Sequence, residues 1–437
     1  MEEKKKKILV LMSGGVDSST AAALLHSQGY DIAGVYLKLW DDKAALGEPC
    51  WGNEMRDAAR VAAKLGVPFD VWDVTEEYKT RVLQNFYSEY AVGRTPNPDV
   101  LCNSEIKFGI ALERALSLGY EHIATGHYAR VHNPPQPSLT LREGDDRDST
   151  LKLRGGEGER YQLYTAVDKN KDQSYFLWRL TQEQLAHVMF PIGEYTKPEV
   201  RALAEKFGLH NAEKKDSQGV CFLGKIDLKE FLYRGKVEAG FSSPSGDLKV
   251  AATTGTIADV RGNFLGLHDG LAHFTIGQRH GTKLGGTGPY FVVDKDIASN
   301  TLIVANEQDE PKYRAVECTV LEVNWSSGRQ DAPFQCTARV RYRAPLQSVI
   351  LSRAKDPIHE SMGFFTPKPL GARNDSESWQ VTFDEPARAV APGQSIVFYD
   401  GDKIIGGGVI DSVVLNTKLQ TTNTKQITNS KLQICNL

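Results

Sequence analysis

The stretch Ser13-Gly14-Gly15-Val16-Asp17-Ser18-Ser19, SGGVDSS, lies between KKKKILVLM (residues 4–12) and TAAALLHSQG (residues 20–29). The short continuous apolar run before it predicts a buried strand ending at Met12. The alanine- and leucine-rich run after it predicts a helix beginning near Ser18. A strand that turns into a helix through glycines leaves backbone N–H groups unpaired at a helix N-terminus, where the helix dipole attracts anions. Gly14 and Gly15 permit close backbone approach to a phosphate, and Ser13, Ser18 and Ser19 add hydroxyl donors. A tight turn with a serine cap accounts equally well for an isolated SGG.

The stretch is not a Walker A loop, because no lysine follows the glycines to reach the outer phosphates. Asp17 also argues against a bare anion hole, since a carboxylate beside phosphates repels them unless a divalent cation lies between. The combination points to ATP with magnesium, Asp17 acting on the metal indirectly.

Outward from this unit, strand and helix patterns alternate. DIAGVYLKLW (31–40), PFDVWDV (68–74) and EHIATG (121–126) read as strands; EMRDAARVAAKLG (54–66), EEYKTRVLQNFYSEYAVG (76–93) and SEIKFGIALERALSLG (104–119) read as helices. The fold class is therefore α/β, with a doubly wound parallel sheet whose ligands bind beyond the carboxyl ends of the strands. That edge collects the opening loop, Leu37 and ATGHY (124–128), where Gly126 either allows close approach to a nucleotide or serves as a simple turn glycine.

A Pro-, Gly- and Asp-rich surface excursion occupies residues 133–161. Past about residue 225 the texture changes, with KIDLKEFLYR (225–234) as a short helix and then glycine-punctuated β-like runs. YFVVD (290–294), TLIVAN (301–306), ECTVLEVNW (317–325), QCTARVRYRA (335–344), WQVTFD (379–384) and QSIVFYDGDKIIGGGVID (394–411) read as successive strands of a small barrel. The expected domains are 1–210, the doubly wound domain; 211–285, a small central domain; and 286–413, the β-barrel. The polar repetitive tail, 414–437, is expected to be disordered.

At 437 residues the chain is too long for one ordinary core. Its 41% hydrophobic and 24% charged content is that of a soluble globular protein, and no apolar run is long enough to cross a membrane. MEEKKKK lacks the apolar segment of a signal peptide, so a cytoplasmic protein is expected. The formal charge of −3 does not advertise nucleic-acid binding, though it leaves room for a local basic face. Six dispersed cysteines without C-x-x-C pairs are too few for a disulfide scaffold and wrongly spaced for a zinc finger, so a cysteine with a task would have to be a reactive thiol.

Two cysteines stand out by their neighbours. Cys102, in GRTPNPDVLCNSEIKFG (93–109), follows two prolines just before a helix, a position near a helix N-terminus that lowers a thiol pKa. Cys221, in EKKDSQGVCFLG (213–224), lies in a polar glycine-containing segment between apparent domains, near Lys214 and Lys215. Either thiol could instead be a small buried residue.

SGGVDSS, TPNPDVLCNSEIKFG, ATGHYAR, KDQSYFL, KDSQGVCF, FTIGQR and APGQSIVFYD together closely resemble the bacterial tRNA-specific 2-thiouridylases, in that family's order and across most of residues 6–411. The resemblance implies a first domain of the ATP-pyrophosphatase type and ATP-dependent sulfur transfer to C2 of the wobble uridine. Leu11, Met12, Ser13, Gly14, Gly15, Val16, Asp17, Ser18, Leu37 and Gly126 would hold ATP. Cys102, Cys221 and Asp99 would be catalytic, with Asn97, Pro98 and Asp99 against the target base. His127, Lys171, Asp172, Gln173, Arg341, Tyr342 and Gln394 would face the tRNA, and a sulfur-relay protein would load a persulfide on Cys221. The residues of RVRYRA allow the same reading independently, with Arg341 and Arg343 on phosphates and Tyr342 on the other strand face, or a solvated edge strand.

Two other classes compete. An ammonia-using ATP pyrophosphatase explains SGGVDSS but leaves Cys102 and Cys221 idle. A nonenzymatic RNA-binding protein would hold ATP only as a structural ligand.

Overall fold

The computed structural model describes residues 6–40, 51–132, 160–215, 253–279, 281–282, 284, 288–328, 330–354 and 377–416. The expected helix at 225–234, Cys221 and the tail beyond residue 416 lie outside the described residues.

The first domain contributes β1 (Lys7–Leu11), β2 (Asp31–Lys38), β3 (Phe69–Asp73), β4 (His122–Ala124), β5 (Ala129–His132), β6 (Gln162–Thr165) and β7 (Val188–Met189). Five of these form a parallel sheet in the order β3-β2-β1-β4-β7. β1 is central and buried on both faces, as its unbroken apolar run requires. Ile8, Val10 and Met12 pack into one apolar layer, while Leu9 and Leu11 pack into the other. The chain moves from β1 to one edge and then returns to β4 on the other side, so the sheet reverses between β1 and β4. In such sheets the crevice at this reversal is the ligand site. Helix α1 (Val16–Ser27) starts two residues earlier than the sequence pattern predicts, with Gly15 as its N-cap.

The hairpin β5–β6 leaves this domain and pairs with the barrel, Ile404 opposite Leu163. No local pattern foretells this, because the polar excursion between the two strands hides their relation. The remaining strands are β8 (Gly255–Asp259), β9 (Phe264–His268), β10 (Tyr290–Asp296), β11 (Thr301–Asn306), β12 (Ala315–Asn324), β13 (Phe334–Arg339), β14 (Gln347–Arg353), β15 (Trp379–Ala387), β16 (Ser395–Asp400) and β17 (Lys403–Leu415).

β12, β15, β14, β13, β16 and β17 close on themselves through a β12–β17 pairing, making a six-stranded barrel. β10 and β11, which the sequence reading grouped with the barrel, instead pair with β8 and β9 in a four-stranded central sheet. Their alternation is legible from sequence, but the partner of an alternating strand is a long-range choice. A second correction concerns RVRYRA: β13 ends at Arg339, and Arg341–Arg343 form a turn in which Arg343 has φ +61°.

Trp178 of the first domain is fully buried against the barrel, and a Cβ on Gly407 of β17 would lie 2.7 Å from its indole. Asn324 Nδ2 donates to the carbonyls of Trp178 and Leu180, at 2.7 and 3.0 Å. Gly407→Ala should therefore force this seam apart and cost about 1–3 kcal/mol, the usual range for overpacking. A lowered midpoint of denaturant unfolding checks this, and an unchanged midpoint would show that the indole moves freely.

Candidate active site

The opening loop emerges from β1 as a tight glycine turn. Gly14 has φ +74°, and a Cβ there would lie 2.2 Å from the Glu54 carbonyl oxygen, so no other residue fits. Ser18 Oγ accepts from the Ser13 N–H at 3.1 Å and donates to the Gly15 carbonyl at 3.3 Å, closing the turn on itself. No side chain caps α1, so the N–H groups of its first turn remain directed at the loop. Leu11, Met12 and Val16 are buried beneath it, and Leu37 is half-buried at the end of β2.

Four residues that the sequence reading did not assign to this loop brace it. Asn211 Nδ2 donates to the Gly14 carbonyl and to Ser19 Oγ, at 3.1 and 2.9 Å. Lys214 Nζ reaches the same carbonyl at 3.2 Å and Asp57 at 2.8 Å. Lys197 Nζ lies 2.8 and 2.9 Å from the two oxygens of Asp17, and the Tyr128 hydroxyl donates to one of them at 2.8 Å. The charge of Asp17 is answered by a lysine 180 positions away, a partner that the metal argument from sequence did not weigh. A lysine distant in sequence carries no local signal.

Beyond β4, Gly126 packs against α1, where a Cβ would lie 2.4 Å from the Ser18 nitrogen. The close approach that this glycine permits is to the protein's own phosphate loop. His127 Nδ1 lies 2.7 Å from Thr125 Oγ1, its ring beside Phe108 and Phe190. Burial first, and Lys107 second, hold its pKa well below the ordinary histidine value. His127 is neutral at pH 7.

Asn97 caps the helical run 98–117, accepting from the Val100 N–H at 3.4 Å, with Pro98 in the first helical position. Its turns widen to π geometry over Cys102–Ile110. Cys102 is therefore the fifth residue of the helix and not its N-terminus, and it sits in an apolar cluster with Tyr78, Val82, Phe86, Tyr90 and Ile106. Burial pushes its thiol up to about 11, with Lys107 opposing and Asp99 reinforcing the shift. The expected acidic thiol is corrected: in this conformation desolvation outweighs the helix dipole. Lys107 acts electrostatically on both Cys102 and His127, which places the thiol's helix beside the β4 end of the nucleotide crevice.

Several residues expected to face RNA are committed to the protein. Asp172 is 2% exposed and accepts from the N–H groups of Ala166 and Ser174 and from Ser174 Oγ. Gln173 exchanges two hydrogen bonds with the Tyr128 backbone, its own N–H donating at 2.8 Å and its Oε1 accepting at 3.0 Å. Gln394 Nε2 donates to the carbonyls of Thr95 and Pro96. Tyr342 lies with its ring 4.5 Å from Phe176, while Arg343, exposed, donates to the Asn170 carbonyl at 3.1 Å. Lys169, Asn170, Asp172, Arg339 and Arg343 line one cavity beside Lys171. Lys169, Arg339 and Arg343 thus form a basic edge beside Asp172, while Arg341 acts electrostatically on Tyr90 and Tyr175. Cys221 lies outside the described residues.

A nucleotide-type loop at the reversal of a parallel sheet, joined to a β-barrel by a shared hairpin, defines a multidomain nucleotide-binding α/β protein. Three family models match it: a tRNA methyl transferase HUP domain over residues 6–225, a tRNA methyl transferase PRC-barrel domain over 248–306, and an aminomethyltransferase beta-barrel domain over 371–410. It is 41% identical over 402 residues to a tRNA-specific 2-thiouridylase MnmA of Geobacillus thermodenitrificans, covering 92% of this chain and 93% of that one. It is likewise 41% identical over 410 residues to that of Enterococcus faecalis, covering 92% and 94%. The chain belongs to the tRNA-specific 2-thiouridylase family. A solved 4-thiouridine synthetase–RNA complex with bound ATP overlaps 50% of this chain and 46% of its own at 19% identity and a TM-score of 0.29, which carries no argument.

The raised Cys102 value has a direct consequence, because only the thiolate is nucleophilic. Below about 11 the thiol keeps its proton, so alkylation of Cys102, followed by peptide mass spectrometry, should climb with pH through about 10 without levelling. A plateau near the ordinary value of 9.0 would show a solvated thiol.

Proposed function

We propose that this protein transfers sulfur to C2 of the wobble uridine of tRNA, using ATP to activate the base. The observation that carries the reading is a hydrogen-bonded link: Asp17 in the phosphate loop accepts from the Tyr128 hydroxyl, and the Tyr128 backbone is paired with Gln173 beside the basic edge. In this reading the link couples the nucleotide loop to the segment beneath the RNA surface. The near-full-length relatives named thiouridylases support sulfur chemistry over the methyl transfer in the family models' descriptions.

In this reading the uracil O2 attacks the α-phosphorus of ATP, a P–O bond forms and pyrophosphate leaves. The first-turn N–H groups of α1, with the Ser13 and Ser18 hydroxyls, hold the phosphates, and Lys197 and Lys214 supply nearby positive charge. Asn97, Pro98 and Asp99 lie against the target base, which must leave the anticodon stack to reach the crevice. Sulfur arrives as a persulfide on Cys221, loaded by a relay protein, and displaces AMP at C2. Either the persulfide attacks C2 directly, AMP leaves, and the Cys102 thiolate then attacks Cys221 Sγ to break the S–S bond and free the thiolated base, or the Cys102 thiolate attacks the persulfide first and releases sulfide, which displaces AMP. Both routes leave a Cys102–Cys221 disulfide that an external thiol reduces, and both require Cys102 to lose its apolar cover first.

Magnesium, in this reading, comes with the ATP phosphates. Among the described residues no group of three or more His, Cys, Asp or Glu could hold a metal by itself, and Asp17 accepts from Lys197 and Tyr128.

Purified protein should release pyrophosphate only with tRNA, and the product should be retarded in a mercury-containing gel. Cys221→Ser should bind ATP and tRNA yet accumulate no persulfide, whereas Cys102→Ser should load Cys221 and fail to turn over. Mass spectrometry of the Cys221 peptide decides between them; loading in Cys221→Ser but not in Cys102→Ser reverses the roles.

Arg341→Ala should weaken tRNA binding whatever the sequence and reduce the slope of log affinity against log salt by about 0.7–0.9, the loss of one phosphate contact. An unchanged slope returns Arg341 to a purely structural place beside Tyr90 and Tyr175.

A further inference from the structure

The segment from Gly93 to Asp99 presents Asn97 and Asp99 and leads into the helix of Cys102, yet much of what holds it comes from outside the first domain. Thr95 and Pro96 are buried in irregular backbone, where carbonyls without partners are costly. Gln394 of the barrel supplies both donors, its Nε2 lying 2.8 Å from the Thr95 oxygen and 3.1 Å from that of Pro96. The Thr95 N–H in turn donates to the Pro392 carbonyl at 2.9 Å. Gly393, at φ +88°, brings this barrel turn so close that a Cβ would lie 3.0 Å from the Thr95 backbone.

Arg94 completes the latch. Its guanidinium donates to Glu89 at 2.8 Å on its own domain, and to the Asp411 carboxylate at 3.0 Å and the Ile410 carbonyl at 3.1 Å on the barrel. The Ile410 N–H is bonded to the Gln394 carbonyl, so the two arms share one stretch of β17. On the inner side, the Tyr175 hydroxyl donates to the Ser395 carbonyl at 2.7 Å.

We propose that Gln394, with Arg94, is a positioning residue by which the barrel holds the Asn97–Asp99 loop and the cover over Cys102. Both contacts of its Nε2 go to that loop. The proposal rests on the reading of Asn97–Asp99 and Cys102 as the thiolation site, but its first test needs neither tRNA nor ATP.

In the full-length protein, Gln394→Met removes the donors at similar volume, and Gln394→Glu removes them while keeping acceptor oxygens. Iodoacetamide labelling, resolved by peptide, should rise about tenfold at Cys102 in both, as expected for the loss of one or two buried hydrogen bonds. Cys318, buried in the barrel, serves as the internal reference and should be unchanged. In steady-state thiolation the same variants should lose kcat by about tenfold, with KM for tRNA within about twofold of wild type. Unchanged Cys102 labelling, or a raised KM with unaltered kcat, overturns the proposal, the second making Gln394 an RNA contact. If Cys318 labelling rises in parallel, the barrel itself has opened, and Arg94→Lys decides: it keeps the charge but loses the fork, so Cys102 labelling that rises supports the latch and labelling that does not rejects it. Failure of wild-type protein to thiolate tRNA would strike the functional reading and leave the labelling result standing.

Discussion

The ion pair between Lys197 and Asp17 sets the conditions under which the rest of the site exists. Asp17 stands in the first turn of α1, where a carboxylate is favoured by the helix dipole but would repel any phosphate brought to the same turn. Lys197, from the start of the helix Lys197–Lys206 and nearly buried, answers that charge. Taking a lysine out of water is tolerable only with such a partner, so each residue requires the other. The Tyr128 hydroxyl adds a third contact, and the pair thereby ties the ends of β1 and β4 to a helix that follows β7.

A second feature follows from close packing rather than charge. Gly14 against Glu54, Gly126 against Ser18 and Gly407 against Trp178 are three places where the missing Cβ lets backbone or ring approach to within contact distance. The first two shape the phosphate loop, and the third fixes the barrel against the first domain. The hairpin β5–β6 extends the barrel's sheet from the other domain, and the barrel reaches back to Thr95 and Pro96. Barrel and α/β domain are thus a single mechanical unit around the Asn97–Asp99 loop, and the closed barrel supplies a rigid frame with no free edge of its own.

Cys102 shows how such packing changes chemistry. Its place in the chain argues for an acidic thiol, yet it is covered by aromatic and aliphatic side chains and holds its proton. A protected thiol suits a site that must not be alkylated or oxidised between turnovers, because oxidation follows thiolate character and exposure. In the proposed reaction, reactivity depends on moving this cover, which adjoins the loop that bears Asn97 and Asp99.

By itself the sequence determined the elements whose signals are local: the buried strand β1, the glycine turn, the alternating pattern of the first domain and the runs that became β10 to β13 and β15 to β17, while β14 (Gln347–Arg353) went unread. It also determined the family, through motifs whose order needs no coordinates. Only the tertiary structure decided which strands pair, that Lys197 answers Asp17, that Asp172, Gln173 and Gln394 turn inward, that Arg341–Arg343 form a turn and that the Cys102 thiol is desolvated. Each of these is a contact between residues far apart along the chain or a consequence of burial. Local propensity carries no information about either, since the energy of an ion pair, a buried amide or a covered thiol is set by what the fold places within a few ångströms of it.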